Sequence, residues 1–137
     1  MRRVDKPWGF ENIWAETERY VGKFMFIKPG HRMSLQYHKK KEETIYVQSG
    51  VLRIWNSDDE NDFTDLQSGG TYHVKPGTIH RFGAVEKAVY LIEISTPELD
   101  DVIRLADDYT RWKFLHTISI QVQIAVLINL PELFFQI

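Results

Sequence analysis

The sequence predicts a single all-β domain, a sandwich or a barrel. Three observations carry that expectation. Short apolar or alternating runs recur along the first hundred residues. Clusters of Gly, Pro, Asn and Asp separate them at the spacing of a many-stranded fold. Helix signals are few before residue 98.

The strands follow in order as Tyr20–Lys28, Met33–His38, Thr44–Gln48, Val51–Trp55, Phe63–Leu66, Thr71–Val74, His80–Ala84 and Ala88–Ser95. Lys28-Pro29-Gly30, Ser49-Gly50, Ser68-Gly69-Gly70 and Lys75-Pro76-Gly77 are the turns. Proline presets one backbone angle in them and glycine accepts the positive one. Asn56–Asp62 reads as a solvated loop, because it lacks the glycine and the glutamate spacing of a calcium loop. Pro97–Arg111 is charged and is expected to form a helical turn or a clasp over the barrel.

Beyond it the composition changes. From Phe114 to Ile137 there is almost no charge, and Ile118, Ile120, Val122, Ile124 and Val126 alternate with Ser119, Gln121, Gln123 and Ala125. That pattern is a strand with one apolar face. It pairs with the sheet edge of a second subunit in a homodimer, packs within its own subunit, or is an extension foreign to the domain. The division expected is residues 1–113 as the domain and 114–137 as the tail.

Composition excludes several classes. With no cysteine there are no disulfides and no thiolate metal sites, so any ion must be held by nitrogen and oxygen. A net charge of -2 gives no broad basic field, and no basic stripe interleaves with aromatics, which argues against a nucleic-acid partner. The start, MRRVDKPWGFENIW, has no apolar run behind its basic residues, and the tail is too short and too rich in Gln to span a bilayer. A cytoplasmic location without membrane contact is the expectation.

Two blocks carry the chemistry, PGHRMSLQYHKKKEETIYVQSG and GGTYHVKPGTIHRFGA. Residues two apart on a strand face the same way, so Gln36 and His38 project together. The chain can return past Glu43, and His80 can arrive from the opposite wall. Two imidazoles, a carboxylate and an amide oxygen make a set for one divalent ion, with Zn, Mn, Fe, Co or Ni all compatible. Lys39–Lys41 reads as a solvated hairpin tip, and Trp8, Trp14, Trp55 and Trp112 read as packing residues.

These blocks resemble the cupin superfamily. Gly30, His38, Glu43 and Gly50 fall in register with its first motif, with Gln36 where the first His is usual. Gly69, Gly77 and His80 match the second, where Lys75 and Ala84 replace the usual Pro and Asn. Spacing to Gly50 favours Glu43 over Glu42 as the ligand, with Glu42 pointing outward. KPWGFENIW, PGHRMSLQYH and IEISTPELDDVIRLADDYTR are similar to cupin-type mannose-6-phosphate isomerases, including the C-terminal domain of bifunctional mannose-1-phosphate guanylyltransferases. The likeness covers about Lys6–Arg111. It departs at Glu42–Ile45, where that family has Ala-Glu-His-Trp, and at Thr110, where Gly is usual.

The resemblance implies a double-stranded β-helix, the cupin jelly-roll barrel, and a metal-dependent interconversion of mannose 6-phosphate and fructose 6-phosphate through an enediol. It also implies a dimer. Spacing does not single out the general base, and Glu42, His73 and Glu93 are the side-chain candidates, beside a metal-bound water. Arg104 and Arg111 are the preferred phosphate contacts, with Arg81, Lys23 and Arg32 as second choices. A salt bridge from Arg104 to Asp100 or Asp101 is the structural alternative. The other readings are a non-catalytic metal- or carbohydrate-binding cupin and a different cupin enzyme, a nucleotide-sugar epimerase or a dioxygenase.

Overall fold

In the computed structural model, residues 1–109 and 111 are described. They form eleven strands: β1 (Arg2–Lys6), β2 (Gly9–Glu16), β3 (Val21–Ile27), β4 (Leu35–Tyr37), β5 (Glu43–Ser49), β6 (Leu52–Trp55), β7 (Phe63–Leu66), β8 (Thr71–Val74), β9 (Arg81–Ala84), β10 (Val89–Ser95) and β11 (Ile103–Ala106). All pairings are antiparallel. One sheet runs β1-β2-β3-β10-β5-β8. The facing layer consists of β7-β6-β9 and β11-β4, and the bridges Arg32 to Gly83 and Gln36 to His80 tie these two together. The result is the all-β double-stranded barrel expected.

The eight strands expected from the sequence are present within a residue or two at their ends. Two others, β1 and β2, are additions to that reading. Their inward positions include Lys6 and Glu11, which line a polar cavity rather than an oily core, so the alternation of apolar and polar residues is blurred. Of the helical turn or clasp expected in Pro97–Arg111, the helical turn is corrected. Ile103–Ala106 forms β11, which pairs with β4 and closes that edge. The 113/114 boundary and the apolar tail lie outside the described residues. Among the described residues no helix is long and apolar enough to cross a membrane.

Strand alternation explains where the cavity sits. The inward side chains of β3 run Ile27, Met25, Lys23, and those of β10 run Val89, Leu91, Glu93, Ser95. On β5 they run Val47, Ile45, Glu43. Register places Leu91 beside Met25 and Val47, then Glu93 beside Lys23 and Ser95 beside Glu43. All three strands therefore carry a charged inward residue, Lys23, Glu93 or Glu43, toward the same end of the barrel, with Val21 following Lys23 on β3. The apolar end is filled by Ile27, Val47, Leu52, Val89, Leu91 and Phe82. Each such side chain contributes about 1.5–3 kcal/mol on leaving water, which holds the wall rigid around the polar end.

Two glycines are required by geometry. Gly9 has φ +154°, and a Cβ there would lie 1.8 Å from the Phe26 carbonyl oxygen, so β2 can approach β3 only without a side chain. Gly50, at φ +86°, turns β5 into β6 against the Ala88 carbonyl.

Candidate metal centre

His38, Glu43 and His80 converge at the charged end of the barrel. One ligand atom from each lies within 4.8 Å of the others, and all three residues are buried. Glu43 begins β5, His38 follows β4, and His80 precedes β9. The Gln36–His80 bridge, with backbone hydrogen bonds of 3.0 and 2.9 Å, locks the two ligand segments in register.

The imidazoles are oriented from behind. His80 Nδ1–H donates to the Thr78 carbonyl at 2.9 Å, and His38 Nδ1–H donates to the Asp101 carbonyl. In the neutral rings this leaves both Nε2 atoms as lone pairs facing Glu43. They lie 3.6 Å from Glu43 Oε2 (His38) and 3.3 Å from Oε1 (His80). Both Nε2 atoms are buried without a hydrogen-bond partner. Buried lone pairs opposed to a carboxylate call for a cation between them. Ligand atoms about 2.1 Å from a shared ion stand roughly 3.0–3.4 Å apart at octahedral or tetrahedral angles, close to the separations seen. The residues present therefore fit a divalent ion.

Burial opposes ionisation of Glu43, but with no ion bound, His38 and His80 hold its carboxyl well below the usual range when their Nε2 atoms are protonated, as does the Lys41 ammonium. Lys41 is a correction to the hairpin-tip reading. Lys39 and Lys40 are exposed, whereas Lys41 is buried and bonds both Glu43 and, at 2.8 Å, Glu93. Burial alone would lower the lysine, but Glu93 and Glu43 outweigh it and hold it above its ordinary value. The signal lay in the period of two, because Lys41 shares parity with Glu43. The run of three lysines obscured it.

Asp101 organises the same turn. Its carboxylate accepts the backbone N–H groups of Lys39, Lys40 and Lys41 at 3.0, 2.7 and 2.8 Å, which pull its pKa down to about 2. Its carbonyl orients His38, as above. The alternative salt bridge from Arg104 to Asp100 or Asp101 is absent, and among the described residues Arg104 forms no ion pair.

A cavity of about 560 Å³ opens onto this centre. Gln36, His38, Glu43, Lys41, Glu93 and Lys23 line it, together with Lys6, Arg104 and Arg111. Gln36 lines the same cavity, and its amide oxygen accepts a hydrogen bond from the buried Ser34 hydroxyl at 2.7 Å. Opposite charges alternate along the wall. Glu93 links Lys41 to Lys23 (3.7 Å), Lys23 reaches Glu11 (3.5 Å), and Glu11 reaches Lys6 (3.9 Å). Lys6 is pushed below its ordinary value by burial and by Lys23, Arg111 and Arg104, against the pull of Glu11. Burial and Arg111 likewise lower Arg104, against the pull of Asp107. Arg111 is held by Asp107 through bonds of 2.7 and 3.0 Å. These mutually repelling cations make the mouth receptive to an anion.

Four expected site residues are not brought to the cavity. Glu42 and His73 lie on the outer surface and bond each other at 2.6 Å, because they alternate with the inward Glu43 and Val74. Arg81 neighbours the inward His80 and so turns to the other side, where its guanidinium donates to the Ala106 carbonyl at 3.3 Å. Arg32 is also elsewhere, held by Glu60 and Asp108 at 2.7 Å each.

Comparison with known proteins agrees with this architecture. The chain is 32% identical over 117 residues to the Xanthan biosynthesis protein XanB of Xanthomonas campestris pv. campestris (strain B100), covering 80% of this chain and 24% of that protein. It is 32% identical over 119 residues to the Mannose-1-phosphate guanylyltransferase of Escherichia coli (strain K12), covering 80% and 23%. The chain thus spans about a quarter of the length of these relatives. A structure of a conserved protein with a double-stranded β-helix domain from Klebsiella pneumoniae subsp. pneumoniae MGH 78578 superposes with a TM-score of 0.65 at 18% identity, covering 77% of this chain and 86% of that one. That likeness establishes the cupin fold. Residues 1–107 match the family described as Mannose-6-phosphate isomerase C-terminal, and the chain belongs to that family.

Proposed function

We propose that the chain is a divalent-metal-dependent sugar-phosphate isomerase that interconverts mannose 6-phosphate and fructose 6-phosphate. The observation that carries this reading is one cavity lined both by His38 and Glu43 of the His-Glu-His cluster and by Lys6, Lys23, Arg104 and Arg111. Its volume of about 560 Å³ suits a small ligand.

His38, Glu43 and His80 would hold the ion, with Gln36 beside them as a fourth donor. A bound divalent ion supplies polarisation of the sugar carbonyl and hydroxyl oxygens, which lowers the cost of the enediol. Arg104, which forms no ion pair among the described residues, would grip the phosphate with two parallel N–H bonds, and Lys6 adds charge beside it. Arg111 and Lys23 surround the same anion from positions fixed by Asp107 and by Glu11 and Glu93. Of the three side chains expected as candidate bases, only Glu93 lines the cavity. In this reading Glu93 takes the proton from C2 and returns it to C1 while the O2 hydroxyl proton passes to O1, a transfer that requires a base within hydrogen-bond reach. Lys41 and Lys23 hold that carboxylate in place.

The test is purified protein loaded in turn with Mn, Zn, Co and Ni, with mannose 6-phosphate and fructose 6-phosphate followed by NMR. Interconversion with at least one ion is expected, and no turnover with any removes this substrate pair. The same engagement of Glu93 by two ammonium groups supports a second reading, a cupin that binds a metal and a sugar phosphate without turning it over. Saturable binding without product would select it.

A further inference from the structure

The stretch between β10 and β11 forms one wall of the cavity, through Leu99, Asp100, Val102 and, at the start of β11, Arg104. Its own hydrogen bonds are short-range. The N–H groups of Leu99, Asp101 and Val102 donate to the carbonyls of Pro97, Glu98 and Asp100 at 2.8, 3.3 and 3.0 Å. Among the described residues, the hydrogen bonds that cross from 97–102 to another element all come from Asp101. Its side chain and its main chain hold different groups. The carboxylate accepts the N–H groups of Lys39, Lys40 and Lys41, in the turn that separates His38 from Glu43. The carbonyl accepts the Nδ1–H of His38.

The two holds depend on one another. A carboxylate anchored on three N–H groups sets where the backbone of residue 101 lies. The carbonyl of that residue therefore meets the His38 ring at a fixed place, and a ring held at Nδ1 keeps its Nε2 aimed at Glu43, 3.6 Å away. The same anchor stands just ahead of β11. There Ile103 pairs with Tyr37 and Arg104 with Gln36, and the register shifts directly after Arg104. A ladder so short, broken by a bulge, holds a strand weakly by itself. The Asp101 anchor secures its other end. Gln36 and Arg104 are thus cross-strand neighbours, with groups for the ion on β4 and the cation for the phosphate on β11.

We propose that Asp101 is a positioning residue of this centre, its carboxylate fixing at once the ring of His38 toward the ion and the guanidinium of Arg104 toward the phosphate. The proposal rests on the functional reading above for the ion and the anion, and on no step of the reaction. Asp101 does not line the cavity, so it acts through those two residues. Its distinctive consequence is that one substitution outside the cavity weakens two ligands held by different side chains.

The two ligands are measured separately on the full chain, Mn or Zn by calorimetry without phosphate, and inorganic phosphate by 31P NMR in EDTA. Asp101→Ala is expected to raise the metal Kd by roughly ten- to a hundredfold, the range for losing a group that orients a metal-ligating histidine. Phosphate affinity should fall by about tenfold, as for one misplaced charge-assisted bond. In the metal-free chain the Nδ1–H signal of His38, assigned by its absence from His38→Ala, should be lost to faster exchange. Asp101→Asn keeps one carbonyl acceptor for the turn and should show the same losses in smaller measure. It carries the test alone if Asp101→Ala does not fold. Thr17→Ala removes a comparable cap, on the N–H groups of Arg19 and Tyr20 at 3.1 and 3.0 Å between β2 and β3. It should lower the melting temperature and leave both affinities as in the parent. No readout here needs turnover, so a chain that binds both ligands without isomerising the sugar still supports the role of Asp101. A folded Asp101 variant that binds metal and phosphate as the parent does overturns the proposal, as does a Thr17→Ala chain with equal losses. A parent that binds neither these ions nor phosphate overturns the functional reading and the proposal with it.

Discussion

Replacing Lys41 by Met tests the electrostatic design of the barrel's charged end. The ammonium is buried between two buried carboxylates, bonding Glu43 and lying 2.8 Å from Glu93. Methionine keeps the length of the stem and removes the charge. Taking away one partner of a buried pair costs about 3–5 kcal/mol, because the remaining charge is stranded. Lys23, 3.7 Å from Glu93, compensates one of the two carboxylates in part, so the lower end applies, about 3 kcal/mol. At roughly 4 °C per kcal/mol for a domain of this size, the metal-free variant should melt roughly 12 °C below its parent. The lysine's pKa is raised in the folded state, so its contribution is complete at neutral pH and fades only above the ordinary lysine value. A divalent ion restores positive charge at Glu43. Saturation at a hundred times Kd adds about 2.7 kcal/mol, and most of the lost stability should return. The assay is calorimetry of parent and variant at pH 7, with EDTA and with Mn or Zn. A metal-free variant within a few degrees of its parent, or one that no divalent ion recovers, refutes the reasoning.

Three further outcomes are expected. Glu42→Gln and His73→Ala, which break an exposed pair, should each change stability by less than about 1 kcal/mol in urea titrations and leave metal content as it was. Arg104→Ala should raise KM for the sugar phosphate by roughly tenfold or more with a smaller change in kcat, since an anchoring contact is lost equally from ground and transition states. Asp101→Asn should lower the melting temperature at pH 7, and the gap between variant and parent should close as pH falls. Asp101 titrates at about 2 in the folded chain, so its contribution is present above the ordinary Asp value and is lost as pH drops toward about 2. Melts of both proteins across that range read the closing directly.

How much of this was legible in the sequence depends on which period a residue obeys. Turn glycines such as Gly50 and Gly69 bounded the middle strands, and alternation within Thr44–Gln48 and Ala88–Ser95 matched the faces found. The same period of two separates Glu43 from Glu42. The period of two paired Gln36 with His38, whereas Glu43 and His80 were joined to them by their register with the cupin motifs. The reading failed where function overrides the apolar pattern. Lys6 and Glu11 face inward into a polar cavity, so β1 and β2 lacked an oily stripe. Lys41 was hidden in a run of lysines whose first two members are solvated. Asp101 acts on residues some sixty positions away, through a carboxylate cap that no local pattern encodes. Arg81 was proposed on charge alone, and its parity with the inward His80 already argued against the cavity.

The account depends most on a cation bound by His38, Glu43 and His80, and elemental analysis measures that directly. Protein loaded separately with Zn, Mn, Fe, Co and Ni and then dialysed should retain one ion per chain for at least one of these metals. The variant carrying both His38→Ala and His80→Ala, checked for folding by circular dichroism, should retain none. A parent chain that emerges metal-free from every loading, or a folded double variant that keeps as much ion as the parent, would contradict it.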